Sequence, residues 1–316
     1  MTDSETMAGR WDSSYHAPVM VEEVVELFKG APLILDCTLG GGGHSEALLS
    51  SGAAVVAVDR DEAAIVEARK RLAPYEASGR FLAFRGNFGD LDSIPGLADR
   101  SFNGILADLG VSSHQIDADE RGFSFRPGAL LDMRMDRRST GTAADLLNTL
   151  DEAELTRIFR EYGDEPRARR IAREITRRRD RKPMRVSDDL VDAIRGALGA
   201  RSGPGDFARL FQAVRIAVND ELSSLERALP TLRDRLEPSG LMAIISYHSG
   251  EDRLVKHTMR EWSLSCTCPP KQLHCTCRGQ ALGKTVTRRA MTASVEETAA
   301  NPRARSARLR AWRKAA

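Results

Sequence analysis

The sequence predicts an α/β protein: a doubly wound parallel sheet interrupted by an all-helical insertion. Three observations carry this. Apolar runs of strand length alternate with helical patterns up to Ser113, helical spacing alone follows for roughly a hundred residues, and a strand pattern resumes at Leu241 to Ser246.

In chain order, the polar opening Met1 to Ser14 is expected to be a disordered leader. Leu33-Ile34-Leu35 reads as a buried strand that runs into Asp36-Cys37-Thr38-Leu39-Gly40-Gly41-Gly42-Gly43-His44 and then a helix. Ala53 to Val58 reads as a second buried strand ending on Asp59-Arg60-Asp61, with a helix from Glu62 to Leu72 behind it. Phe81 to Phe84 and Ile105-Leu106-Ala107 are the third and fourth strands, the latter ending on Asp108-Leu109-Gly110-Val111-Ser112-Ser113. Ligands of such sheets sit outside the carboxyl ends of the strands, and Asp36, Asp59, Phe88 and Asp108 all fall there.

The helical block begins with Asp151 and Glu154, a capping-box pattern, followed by Leu155, Ile158, Phe159 and Tyr162 at helical spacing before Gly163. Pro166 opens the next helix, which puts Ala168, Ile171, Ala172 and Ile175 on one face and arginines on the others. A third helix runs from Ser187 to near Gly199, and a long fourth from about Asp206 to Leu229, ending at Pro230. The turn Pro238-Ser239-Gly240 leads into the fifth strand. The expected division is a sheet domain of residues 15–113 and 220–316 and an inserted helical, substrate-recognition domain of 114–219.

The 316 residues, 41% of them hydrophobic, suffice for such a core. No apolar run is long enough to cross a membrane and no secretory signal is evident, so a cytoplasmic protein is expected. The net charge of +2 conceals clustering: ten Arg or Lys against two acids between Arg167 and Arg185, and six with no acid between Arg303 and Lys314. Two readings stand: a footprint for a polyanion such as a phosphate backbone, or a solvated helix face and a basic tail. Cys266, Cys268, Cys275 and Cys277 form two CxC pairs, which read either as ligands of a structural zinc or as a reduced surface loop stiffened by Pro269 and Pro270. Cys37 reads as a small packing residue.

A strand, a glycine loop and a helix N-terminus present bare amides to a nucleotide-like ligand. Asp36 within that loop opposes the pyrophosphate of NAD and suits a cationic cofactor such as S-adenosylmethionine. Gly42, Gly43 and His44 lie where that cofactor would be held, although His44 also suits a helix cap. Asp59 at the second strand tip is read as the acceptor of ribose hydroxyls, and Asp61 as the cap of the following helix. Phe88 suits the adenine.

Methyl transfer from a sulfonium requires an acceptor that is positioned and relieved of a proton. The lone pair of an exocyclic base amine is delocalised into the ring, and an acceptor aimed at its N–H localises it. Asp108 is read in that role, with Ser112 in the same turn; a plain turn-forming Asp before Gly110 is the alternative. Tyr247 and His248, after the fifth strand, suit a pocket for an unstacked base, while a structural hydrogen bond to loop backbone accounts equally for His248. Arg121 and Arg126 interleave with Phe123 and Phe125 as a stacking, phosphate-neutralising surface would, or as a loop anchored by its Phe rings would. Arg134 suits a phosphate contact or a salt bridge to its acidic neighbours. Arg169, Arg170 and Arg173 are further candidates for RNA contact.

Several of these segments, with His16 to Met20, Gln115, Leu131 to Asp136, Phe211 to Asn219, Ser246 to Lys256 and Asn301 to Ala307, occur in the order of a known family's signatures. The chain resembles the bacterial 16S ribosomal RNA cytosine-N4 methyltransferases, the MraW or RsmH family, over nearly its whole length. The resemblance implies a Rossmann-like S-adenosylmethionine-dependent enzyme that methylates N4 of a cytidine in the decoding region of 16S ribosomal RNA, within the small ribosomal subunit. It implies cofactor contacts at Gly42, Gly43, His44, Asp59, Phe88, Asp108 and Gln115, the last not reached from the residues themselves. Gly250 stands where an apolar residue is expected. The Asn-Pro-Pro-Tyr type tetrapeptide of DNA amino-methyltransferases is absent, which counts against a DNA substrate.

Overall fold

A computed structural model describes residues 11–12, 17–269, 272 and 274–316. Most of the expected leader, together with His16 and Pro270, lies outside the described residues; Trp11 is buried, and its carbonyl accepts a 2.6 Å hydrogen bond from Arg71. The chain divides into two compact units, one of residues 1–110 with 223–316 and one of 111–222.

The first unit holds β1 (Leu33–Asp36), β2 (Ala54–Asp59), β3 (Phe81–Arg85) and β4 (Phe102–Asp108), with α1 (Val21–Leu27), α2 (Gly43–Ser50), α3 (Glu62–Arg71) and α4 (Ala73–Ala77). These strands are parallel because each is followed by a crossover rather than a hairpin. Both faces of the sheet are covered, which is why β2 and β4 are near-continuous apolar runs. Successive side chains enter opposite cores: Val55, Ala57 and Leu106 join Leu48 of α2 on one face, while Val56, Val58, Ile105 and Ala107 join Phe88 and Leu91 on the other.

The second unit contains α5 (Ser113–Asp117), α6 (Ala143–Thr149), α7 (Glu152–Glu161), α8 (Ala168–Arg179), α9 (Ser187–Leu198) and α10 (Pro204–Asn219). Its core is Leu155, Ile158, Phe159, Ala168, Ile171, Ile175, Leu210, Phe211 and Val214, the apolar stripes anticipated from helical spacing. The single long helix expected from Asp206 to Leu229 is two. Asp220, at φ 49° in the left-handed region, ends α10, and α11 (Glu221–Asp234) begins beside it, carrying Pro230 inside rather than stopping there.

The chain returns through β5 (Leu236–Ser246), α12 (Ser249–Trp262), β6 (Gly283–Thr285), α13 (Val295–Ala300) and β7 (Arg308–Lys314). Pro238-Ser239-Gly240 is not a turn before β5. It lies inside the strand, where the register against β4 slips between Phe102 and Gly104 and Ser239 adopts φ 64°. The sheet order is β3-β2-β1-β4-β5-β7-β6, with β7 antiparallel to both neighbours.

Most of the basic run near the C-terminus is therefore an internal strand rather than a frayed tail. Leu309, Ala311 and Trp312 are buried, Arg310 makes two hydrogen bonds to Asp252, and Lys314 bonds the carbonyls of Asp234 and Leu236. The strand order reverses between β1 and β4, and the carboxyl ends of those two strands open the ligand crevice expected of a doubly wound sheet.

Candidate active site

Gly40 and Gly42 adopt φ 50° and 80°, a conformation that side chains rarely take. Gly42 is the N-cap residue of α2 and supplies no capping side chain, so the first-turn amides face out of the helix end. A Cβ on Gly42 would lie 3.2 Å from Ala68 and Leu72, and one on Gly43 only 2.7 Å from Pro18. These glycines thus bring bare backbone close to both α3 and the segment before α1.

Asp36 is 1% exposed, and both its oxygens are engaged, one by the Thr38 amide of the loop at 3.1 Å and the other by the Ser45 hydroxyl of α2 at 2.7 Å. Burial pushes its carboxyl up despite those bonds and the nearby His44. Asp59 ties the loop to the tip of β2: its two oxygens accept from the Gly40 and Asp61 amides, each at 2.8 Å. Burial raises this carboxyl to about 6. Asp61, not Asp59, is the N-cap of α3, accepting from the Ala63 amide at 3.1 Å.

Asp108 ends β4 opposite the loop, and its own amide donates to Thr38 Oγ1 at 2.7 Å. The Tyr247 hydroxyl donates to Oδ1 at 2.8 Å, and His44 Nδ1 stands 3.6 Å from Oδ2. Burial lifts the Asp108 carboxyl to about 6; His44 and Tyr247 oppose the rise, while Asp36 and Glu251 add to it. His44 Nε2 lies 2.8 Å from the Val19 carbonyl, which only accepts, so this nitrogen carries the hydrogen. Burial beside Asp108 holds the Tyr247 phenol well above its usual range, so it remains a donor.

His248 is the N-cap of α12, with Nδ1 accepting from the Glu251 amide at 3.4 Å. Its Nε2 approaches Glu251 Oε1 to 3.2 Å without hydrogen-bond alignment. Glu251 itself is 3% exposed and accepts from the Tyr247 amide at 3.0 Å, which fixes the ring that reaches Asp108. Sequence reasoning missed Glu251, Thr38 and Ser45. The His-x-x-Glu spacing at the start of α12 carried the signal for the first.

Phe88 is 8% exposed and packed in the core beneath the tip of β3. Cys37 is buried in the same core, as its small-residue reading implied. Within the helical unit, Ser112 and Gln115 form a reciprocal capping box: the Gln115 amide donates to Ser112 Oγ at 3.2 Å and the Ser112 amide to Gln115 Oε1 at 3.0 Å. Capping is the role the geometry gives both residues.

The arginines separate into two groups. Arg121 is 5% exposed, donates to the Arg134 and Met135 carbonyls and lies over the Phe123 ring, so burial removes it from any phosphate-facing surface. Phe125 meets Phe207 and Phe211 edge-on at 6.0 Å, so this loop is anchored by its rings rather than offering them for stacking. Arg134 forms a fork with Asp132 at 2.7 and 2.9 Å. Arg126 is half exposed and pairs with Asp117 at 3.1 Å. On α8, Arg169 and Arg173 share Glu152 at 3.4 and 3.9 Å, and Arg169, Arg170 and Arg173 are all exposed. The end of the same helix borders a pocket of about 270 Å³ lined by Arg177, Arg178, Arg181 and Lys182, with Asp189 and Asp192 opposite in charge.

A family model described as the MraW methylase family matches residues 13–315. The "Ribosomal RNA small subunit methyltransferase H" of Gemmatimonas aurantiaca is 59% identical over 302 residues, 96% of each chain. Proteins of the same name from Heliobacterium mobile and Pelobacter propionicus are 45% identical over 310 residues and 46% identical over 311; each alignment covers 95% of this chain, with 99% and 98% of the relative.

Proposed function

This chain belongs to the MraW methylase family, and from that premise we propose that it is an S-adenosylmethionine-dependent methyltransferase acting on N4 of a cytidine in the decoding region of 16S ribosomal RNA. The observation that carries the reading is a trio of acids, Asp36 buried and Asp59 and Asp108 partly buried, around the uncapped first turn of α2. Burial raises all three carboxyls. A cationic ligand relieves that cost, whereas a pyrophosphate would increase it. The residues therefore fit S-adenosylmethionine and oppose NAD.

In this mechanism Asp59 accepts the ribose hydroxyls through lone pairs beyond those bonded to Gly40 and Asp61, and the α2 amides with His44 hold the polar end of the cofactor. When bound, the sulfonium supplies a methyl group already activated for in-line displacement. Asp108 accepts from the N4 amine, localising its lone pair, and takes the proton that leaves N4 once the new bond forms. Tyr247 fixes Oδ1 of Asp108, which leaves Oδ2 for the ligand. His248 and Glu251 orient Tyr247 from the start of α12. Exposed Arg126, Arg169, Arg170 and Arg173 contact RNA phosphates.

Action on ribosomal RNA places the enzyme in the cytoplasm with the small ribosomal subunit. Among the described residues no helix is long and apolar enough to cross a membrane. The test is methyl incorporation by the purified chain into small subunits, free 16S RNA and DNA, followed by mass mapping of the product. N4-methylcytidine in the decoding region is expected; methylated DNA or another modified nucleotide would refute the proposal.

A further inference from the structure

The loop between α12 and β6 plays no part in the reaction proposed above, yet it gathers four thiols at a point. The Sγ atoms of Cys266, Cys268, Cys275 and Cys277 all lie within 4.8 Å of one another. Four of the pairs are at 3.4 to 3.8 Å: Cys275 with Cys277, Cys266 with Cys277, Cys266 with Cys275, and Cys268 with Cys275. A disulfide would bring two sulfurs to about 2.05 Å, and none is formed. A zinc ion with four thiolates at about 2.3 Å places the sulfurs about 3.8 Å apart along the edges of a tetrahedron. The observed spacing is that of four ligands around one ion; an iron–sulfur core would hold them farther apart.

The backbone around the sulfurs is arranged for thiolates. The residue inside each CxC pair donates its amide to a sulfur of the other pair, Thr267 to Cys277 at 3.3 Å and Thr276 to Cys268 at 3.4 Å. Such N–H···S bonds orient ligands and stabilise their negative charge. The two short segments thus clasp each other with near-twofold reciprocity, which the CxC spacing permits and which a loose surface loop has no reason to adopt.

The surroundings explain why a metal is needed. Between Ser263 and Leu282 no described residue belongs to a helix or strand, and Cys266 and Cys275 are exposed. The loop closes on itself where the Leu282 amide donates to the Trp262 carbonyl at 2.8 Å, and Arg278 donates to the Leu264 carbonyl at 3.1 Å. A loop of this size whose described residues form no apolar core of their own is held by a staple.

We propose that Cys266, Cys268, Cys275 and Cys277 bind one structural zinc ion as a closed tetrathiolate site. Its function is to fix the loop that delivers the chain from Trp262 into edge strand β6, beside the Trp262–Trp312 contact at 5.2 Å. No position remains open for water or substrate, so the ion is not catalytic.

The test uses the full chain, expressed with zinc in the medium and purified under reducing conditions. Elemental analysis should find one zinc per chain, a mercurial reagent should release it as the clustered thiols react, and Cys275→Ser should abolish stoichiometric binding. Cobalt(II) added to the metal-stripped chain should give the charge-transfer and ligand-field spectrum of a tetrahedral tetrathiolate, a readout that holds even if the variant folds poorly. Hydrogen exchange over residues 263–285 should accelerate on metal removal. Absence of stoichiometric zinc together with no such cobalt spectrum, stoichiometric iron in its place, or disulfides among these cysteines in the reduced preparation would each overturn the proposal.

Discussion

Tyr247 donates its hydroxyl to Oδ1 of Asp108 at 2.8 Å, joining the start of the segment after β5 to the end of β4. The Asp108 carboxyl, raised by burial to about 6, is lowered in part by this bond, because it stabilises the ionised form. In the free enzyme, kcat/KM should therefore fall as pH drops below about 6. Tyr247→Phe should move that acid limb upward by about one unit. Asp108→Asn should remove the limb and cost on the order of 10²- to 10⁴-fold in rate. A pH–rate profile for the three proteins checks this, and an acid limb unmoved by Tyr247→Phe would contradict it.

The same burial makes stability depend on pH. Asp59 and Asp108 each titrate at about 6 when folded and near 3.9 when unfolded. Their protonation thus favours the folded state: the gain is complete below about 4 and is lost as pH rises through about 6, on the order of 3 kcal/mol for each group. The urea midpoint of the ligand-free protein should be higher at pH 5 than at pH 7.5, and the double variant Asp59→Asn, Asp108→Asn should flatten the difference. A midpoint that fell on acidification across this range would count against the raised values.

Gly43→Ala should disturb the glycine loop through Pro18, since the added Cβ would stand 2.7 Å from Pro18 Cγ. A loss of about 1–3 kcal/mol in stability is expected from overpacking, with weaker cofactor binding. Gly205→Ala, near the start of α10 with open space around it and no positive φ, serves as the comparison in which the added methyl meets nothing. Equal effects from both would show that close approach at Gly43 is unimportant.

Charge removal should separate the two groups of arginines. Ala at Arg169, Arg170 and Arg173 should weaken RNA binding and reduce the magnitude of its salt dependence by about one for each phosphate left without a cation. Arg121→Ala should instead destabilise the helical unit, because it leaves the Arg134 and Met135 carbonyls without their donor. Binding titrations over a salt series, with thermal melts, distinguish the outcomes; an α8 triple variant with unchanged salt dependence would sink the assignment.

The central sheet was legible because buried parallel strands are written as apolar runs, and Asp36, Asp59 and Asp108 stand where those runs end. Less visible was what each polar group does once folded. Ser112 and Gln115 fold into a capping box, whereas the sequence suggests an acceptor-side role for Ser112 and the family resemblance a cofactor contact for Gln115. Arg121 and Arg134 look like a phosphate-binding set by composition; the burial of Arg121 and the pairing of Arg134 depend on carbonyls and an acid brought up by loop folding, which spacing does not reveal. Near the C-terminus the arginines masked a period-two pattern, Leu309, Ala311 and Arg313 against Arg310 and Trp312, with Arg310 neutralised by Asp252 some 58 residues away. The break at Asp220 had no sequence signal beyond an acid preceding a new helix start.

The most direct test of the account is calorimetric binding of S-adenosylmethionine and of NAD to the purified chain and its Asp59→Ala variant. S-adenosylmethionine should bind one site, NAD should not compete for it, and the variant should lose about 10- to 100-fold in affinity. Equal binding of NAD at that site, or a variant that binds S-adenosylmethionine as tightly as the parent, would contradict it.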